Sequence, residues 1–289
     1  MRVLVLGASG MLGNAMARVL FEYEGLEVFG TTRSSDVERF FPAKISERLM
    51  TGIDVGNCDA LANVFSRVRP NVVINCVGVI KQLAEASDPL HSISVNALLP
   101  HRLARLCELA GARLVHISTD CVFSGQKGGY VETDPVDARD LYGLSKYLGE
   151  VHYPNSITLR TSIIGHELNS TNGLIGWFLA QQGQCRGFTR AIFSGLPTVV
   201  LAQIIGDVII PDSRLHGLYH IAADPIAKFD LLELLAETYG KSIEIIPDDS
   251  LVIDRSLSAE RFRLTTGYVA PGWPELVKAM HSYYLEVVN

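Results

Sequence analysis

The sequence is short of cysteine, of charge and of long apolar runs, and each shortage excludes a class of protein. Five cysteines stand in 289 residues, at Cys58, Cys76, Cys107, Cys121 and Cys185. Their number is odd, their spacing wide, and no Cys-x-x-Cys occurs, so neither a disulfide framework nor a metal site is expected. Charged residues make up only 19%, with a net charge of −6. That balance argues against affinity for nucleic acid or an anionic membrane. The most apolar stretch, Val199 to Ile210, is broken by Gln203 and Asp207 and falls short of a spanning helix. Met1-Arg2 leads straight into an apolar strand with no cleavage-site pattern, so no signal peptide is expected and a cytoplasmic location is. Internal repeats and low-complexity linkers are absent too.

What remains is a composition that is 48% hydrophobic, enough for one large or two modest cores. The first half alternates short apolar runs with amphipathic ones. Strands are expected at Val3 to Leu6, Glu27 to Thr31, Arg48 to Ile53, Val72 to Asn75 and Leu114 to Ile117. Helical spacing runs through Met11 to Leu20, Asp59 to Val68 and Pro89 to Ala110. Wholly apolar strands between amphipathic helices predict a parallel sheet covered on both faces, an α/β doubly wound fold of the Rossmann type. After Arg160 the rhythm loosens, and a smaller, less regular C-terminal region is expected, with a strand at Gly217 to Ile221 and helices at Phe229 to Tyr239 and Trp273 to Tyr284. The division expected is residues 1–160 for a cofactor-binding domain, which also uses part of 196–222, and 161–289 for a substrate region.

Gly7-Ala8-Ser9-Gly10-Met11-Leu12-Gly13 follows the first strand and opens the first helix. Small residues let the backbone turn tightly and approach a pyrophosphate, which the helix N-terminus then receives. At the end of the second strand, where an acidic residue would bind ribose hydroxyls, the sequence reads Thr31-Thr32-Arg33-Ser34-Ser35. An arginine among hydroxyls suits a 2′-phosphate, so NADPH is the expected cofactor, with NADH the alternative.

Ser118-Thr119-Asp120 ends the strand Leu114 to Ile117, and Tyr142-Gly-Leu-Ser-Lys146 follows downstream. Tyr142 and Lys146, four apart, share a helical face. A tyrosine is able to protonate a carbonyl oxygen as hydride reaches its carbon, and a neighbouring ammonium favours the phenolate left behind. The Thr119 hydroxyl would polarise the same oxygen. A glycine loop, a strand-end Ser-Thr and Tyr-x-x-x-Lys in this order point to an oxidoreductase. His116 and His220 sit in apolar strand contexts and read as core histidines.

These blocks resemble the dTDP-4-dehydrorhamnose reductase family, a branch of the extended short-chain dehydrogenases/reductases that act on nucleotide sugars. Leu6–Gly13, Ile117–Gly125, Tyr130–Asp134, Tyr142–Glu150, Leu159–Ser162, Gly195–Thr198 and Gly217–His220 carry the resemblance. It implies that Thr119, Tyr142 and Lys146 are catalytic. It also implies cofactor contacts from Gly7, Ser9, Gly10, Met11, Leu12, Gly13, Arg33, Asp54, Val55, Val77, Gly78, Asn96, Ser118, Tyr142 and Lys146. The implied activity is reduction of the C4 keto group of a nucleotide-linked 4-keto-6-deoxyhexose by NADPH. Thr119, Cys121, Arg160, Arg190, Thr198 and Arg255 are the implied substrate contacts, the arginines because a diphosphate needs positive charge. A homodimer is the expected assembly.

Two positions depart from the family pattern: Cys121 stands where a tyrosine is usual, and Ile163 where a tryptophan is frequent. Loss of that aromatic opens the choice of sugar and of nucleotide carrier. An epimerase that retains its NAD(P) is one alternative. Dehydratases of the superfamily add acidic residues after the catalytic threonine, and Cys121 is not a second acid after Asp120. The other alternative is a regulatory subunit similar to that of methionine adenosyltransferase, which binds NADP and acts through a partner.

Overall fold

The structure is a computed structural model and describes residues 1–80 and 87–288. By contact the chain divides into two compact units. The first comprises Met1–Ser118, Arg139–Leu159 and Ala202–Leu218; the second comprises Thr119–Ala138, Arg160–Leu201 and Tyr219–Asn289.

The first unit is built on strands β1 (Arg2–Leu6), β2 (Glu27–Thr31), β3 (Leu49–Met50), β4 (Val72–Asn75), β5 (Arg113–Thr119) and β6 (Ser156–Thr161). With the strand Gly217–His220 they form a seven-stranded sheet, whose order from that strand is β6, β5, β4, β1, β2, β3. The pairs β1–β2, β1–β4, β2–β3 and β4–β5 are parallel. The direction of winding reverses between β1 and β4, and the crevice beyond such a reversal is where doubly wound sheets take their ligands. The expected strand at Arg48 to Ile53 shrinks to the two residues of β3, because Gly52 turns the chain at φ +71°.

Helices α1 (Met11–Phe21), α2 (Cys58–Val68), α3 (Leu99–Ala110) and α4 (Leu141–Leu148) belong to this unit. Helix α2 shows why the sequence folds this way. Asn57 caps it, its side-chain oxygen accepting from the N–H groups of Asp59 and Ala60. Leu61, Val64, Phe65 and Val68 then fall on one buried face. They pack with Leu4, Leu6, Val73, Leu103 and Leu114 in a single core cluster. Ahead of α3 the long helical stretch is not uniform: Pro89–Ser92 is α-helical and Ile93–Leu98 is a π-helical segment.

The second unit carries short paired strands rather than one sheet. Gln184–Phe188 pairs in parallel with Glu244–Asp248, and Ala191–Phe193 lies between Ile226–Ala227 and Ile253–Asp254. Ile163–Ile164 pairs with Leu196–Pro197. The helices Leu174–Ala180, Lys228–Thr238, Glu260–Thr266 and Trp273–Val288 belong to it. Its small core joins Val122, Phe123, Tyr130, Ala222 and Leu257, with the Phe123 and Tyr130 rings stacked at 4.1 Å. Among the described residues no helix is long and apolar enough to cross a membrane.

Candidate active site

The glycine loop has three glycines with three different constraints. Gly7 has φ +80°, and a side chain there would press Val77 Cγ2 at 2.9 Å. A Cβ on Gly13 would lie 2.0 Å from the Gly7 carbonyl oxygen, so helix α1 sits directly on the loop. At Gly10 a Cβ would meet only the Gly7 carbonyl oxygen, at 3.5 Å. The fold therefore needs Gly7 and Gly13, while the protein itself has room for a side chain at Gly10. Gly10 is the N-cap of α1, and no side chain caps that helix. An open approach to an uncapped helix N-terminus fits a pyrophosphate. Leu12 is buried, so only its backbone is free to face a ligand, whereas Ser9 and Met11 are half-buried. The loop is tied to β2, since the Ala8 N–H donates to the Thr31 carbonyl at 2.8 Å.

Beyond β2 the chain turns outward. Thr32 is buried and donates through Oγ1 to the Ser34 carbonyl at 2.7 Å. Arg33, Ser34 and Ser35 are exposed, a presentation that suits an anion from solution. The Ser34 hydroxyl donates to the Asp36 carboxylate, an acidic neighbour that the sequence reading passed over. Asp54 is exposed and accepts from the Gly56 N–H at 2.8 Å; Val55 packs against the core cluster.

Val77 and Gly78 follow β4, where the buried Asn75 side chain accepts from the Val77 N–H at 3.1 Å. Asn96 lies within the π-helical segment and is 1% exposed. Its side chain accepts from the Val79 N–H at 2.9 Å and donates to the Val79 carbonyl and to Ser145 Oγ. Its own carbonyl lies so near Gly149 that a Cβ there would stand 1.9 Å away. Asn96 thus joins the loop after β4 to helix α4 from inside the protein, a role the resemblance did not predict.

Helix α4 is capped by Asp140, whose Oδ1 accepts from the Gly143 N–H at 2.8 Å. It carries Tyr142, half-buried, and Lys146, buried at 6% exposure. Lys146 Nζ donates to the Ile117 carbonyl of β5 at 2.6 Å. Burial lowers the ammonium to about 8, with Glu150 opposing the shift. Ser118 is placed differently from the expected cofactor contact: its hydroxyl donates to Glu150 Oε1 at 2.7 Å. Burial pushes the Cys76 thiol up to about 12, which makes it an inert neighbour. His116 is fully buried and held well below its ordinary value by burial and by Lys146. Its Nδ1 meets the Asn75 side chain at 3.2 Å, and among the described residues its Nε2 meets no hydrogen-bond partner.

In the second unit Thr119 opens a short 3-10 turn, Asp120–Val122. Its hydroxyl donates to Asp120 Oδ1 and accepts from the Cys121 N–H, each at 3.1 Å. Burial raises the Asp120 carboxyl, and Arg255 is the strongest of the groups that oppose it. Arg255 Nε donates to the Phe123 carbonyl at 2.7 Å, so the arginine closes over the turn that follows Thr119. Cys121 is half-buried, Arg190 is exposed, and Thr198 is buried, with its Oγ1 facing Gly165.

Arg160 departs from the phosphate contact expected of it. It is 3% exposed, its guanidinium lies over the Phe123 ring at 5.1 Å, and Nη1 donates to His220 Nε2 at 3.3 Å. A cation stacked in this way holds the small core together. His220 is fully buried, with Nδ1 donating to the Tyr130 carbonyl at 3.0 Å, as a core histidine should be.

Comparison with known proteins gives a consistent answer. A dTDP-4-dehydrorhamnose reductase from Aggregatibacter actinomycetemcomitans is 28% identical over 234 residues, 78% of this chain and 74% of that protein. The methionine adenosyltransferase 2 subunit beta of Danio rerio is 25% identical over 265 residues, covering 85% of this chain and 76% of its own. A solved dTDP-4-dehydrorhamnose reductase from Bacillus anthracis, in complex with NADP, shares the fold. Its TM-score is 0.79 at 22% identity, over 98% of this chain and 99% of that one. The family model described as the RmlD substrate binding domain matches residues 1–246. With the sheet order, the glycine loop and the Tyr142–Lys146 helix all in place, the chain belongs to the RmlD substrate-binding-domain family.

Proposed function

We propose that this protein reduces the C4 keto group of a nucleotide-linked 4-keto-6-deoxyhexose with NADPH, and that Tyr142 is the proton donor. The observation that carries the reading is Tyr142 one helical turn before Lys146, which is buried and donates to the Ile117 carbonyl. NADPH supplies a hydride to the carbonyl carbon. In the protein, the Tyr142 O–H bond breaks as a new O–H bond forms on the substrate oxygen. The phenolate left behind is stabilised by the Lys146 ammonium, and the Thr119 hydroxyl donates to the same oxygen.

Gly7, Ser9, Gly10, Met11, Leu12 and Gly13 would hold the pyrophosphate, with Arg33 on the 2′-phosphate. Asp54 and Val55 would meet the adenine, Val77 and Gly78 would lie under the cofactor, and Lys146 would also hold the nicotinamide ribose. Arg190, Arg255, Thr198 and Cys121 are the proposed contacts to the nucleotide sugar. The relatives named above support this reading, being reductases of dTDP-4-dehydrorhamnose in two cases out of three.

The test follows NADPH and NADH oxidation with freshly made 4-keto-6-deoxysugars on dTDP, UDP and GDP carriers. Turnover of one member, reduced about 100- to 10,000-fold in Tyr142→Phe, is the expected result. Tight NADPH binding without turnover on any member would instead move the reading toward an epimerase that retains its NAD(P) or toward a regulatory subunit.

A further inference from the structure

We propose that Glu150 is a positioning residue for this reaction, holding the Lys146 ammonium charged and, through Ser118, seating helix α4 on strand β5. The inference rests on the reductase reading and names a residue outside the expected catalytic set.

Helix α4 ends at Leu148 with Gly149 as its C-cap, so Glu150 stands two residues past the helix that carries Tyr142 and Lys146. Glu150 is 5% exposed, and buried carboxylates of this kind require compensation. Ser118 Oγ provides it at 2.7 Å. The neighbouring residue of the same strand, Ile117, receives Lys146 Nζ at 2.6 Å. Two consecutive residues of β5 thus fasten two residues of the α4 segment, with a donation in each direction. Gly149, between them, is pressed against the Asn96 carbonyl, where a Cβ would stand at 1.9 Å. Lys146 and Glu150 are therefore held at fixed positions on β5.

Among the described residues, besides Tyr142 on its own helix, three titratable groups bear on Lys146: Glu150, Cys76 after β4, and His116 on β5. Cys76 stays a neutral thiol to about 12, and burial keeps His116 neutral. That leaves Glu150 as the charge among them that opposes the effect of burial on the lysine.

The experiment compares wild type with Glu150→Gln, an isosteric change that keeps an acceptor for Ser118, and with Glu150→Asp, which keeps the charge. Lys146 is titrated by NMR of its side chain in the ligand-free protein, a measurement that needs no substrate. The kcat–pH profile is recorded with the nucleotide sugar that turns over. In Glu150→Gln, Lys146 should titrate about one pH unit lower, and the alkaline fall of kcat should move with it. At pH 8.5 kcat then drops about tenfold, with KM for NADPH within threefold, and Glu150→Asp restores most of the profile. If Glu150→Gln does not fold, Glu150→Met serves, because it also removes the charge that opposes burial of the lysine. Lys146 titration unchanged in these variants overturns the proposal. Absence of turnover with a shifted titration would overturn the reductase reading and leave the Glu150–Lys146 link standing.

Discussion

Replacing Lys146 with methionine should destroy turnover and yet stabilise the ligand-free protein. The lysine is 6% exposed and holds its proton only to about 8, against an ordinary 10.5. At 1.36 kcal/mol per pKa unit, confining the charged form inside the fold costs about 3 kcal/mol. Methionine removes that cost but forfeits the hydrogen bond to Ile117, worth about 1 kcal/mol. Below pH 8 the variant should be more stable by about 2 kcal/mol, which for a chain of 289 residues raises Tm by about 3 °C. The sign then changes with pH. Between about 8 and 10.5 the unfolded wild type holds a proton that the folded form has released, so wild-type stability rises through that window. Near the top of it the burial cost is gone, and the variant becomes the less stable of the two by the lost hydrogen bond. Urea unfolding at pH 7 and at pH 10.5, both proteins free of cofactor, measures the difference directly. A variant less stable at pH 7, or a gap that ignores pH, would refute the reasoning.

The glycine loop separates fold from ligand. Gly13→Ala drives a methyl to 2.0 Å from the Gly7 carbonyl and should destabilise by about 3 kcal/mol or more in chemical unfolding. Gly10→Ala should leave stability within about 1 kcal/mol while weakening NADPH binding at least about tenfold by fluorescence titration. Arg33→Ala should raise KM for NADPH about 10- to 100-fold and leave KM for NADH unchanged, the signature of a charge-assisted contact to the 2′-phosphate. Asn96→Ala removes three buried hydrogen bonds, and the Val79 amide should lose its protection in hydrogen exchange along with about 2–4 kcal/mol of stability.

Much of the first unit was legible because its signals are local. The run Val3 to Leu6, the glycines after it and the amphipathic spacing of Asp59 to Val68 each state their own structure within a dozen residues. Tyr142 and Lys146 were legible for the same reason. Two features were not. The stretch Pro89 to Ala110 reads as one helix, and nothing in its spacing marks the π-helical Ile93–Leu98; its partners, Val79 and Ser145, lie 17 and 49 residues from Asn96. In the second unit, Gln184–Phe188 finds its partner only at Glu244–Asp248. Those segments contain Gly187 and Pro247, which weaken strand patterns read one window at a time. At Arg160 the arginine type suggests phosphate, while its burial over Phe123 is visible only in the packing. Glu150 is not legible in the sequence, since a glutamate just past a helix end reads as a solvated charge until Ser118 is found beside it.

The threading of the first unit also bears on how the protein is made. Its sheet is finished only when Gly217–His220 arrives beside β6, about 60 residues after β6 has left the ribosome. Arg113 waits likewise for the carbonyls of Ile209 and Leu215. At ordinary synthesis rates that interval lasts several seconds, during which a strand buried along its whole length in the finished protein presents an open edge. A nascent chain stopped near residue 200 is thus a client for holding factors rather than a small folded domain, and release from them should coincide with emergence of the strand that closes the edge.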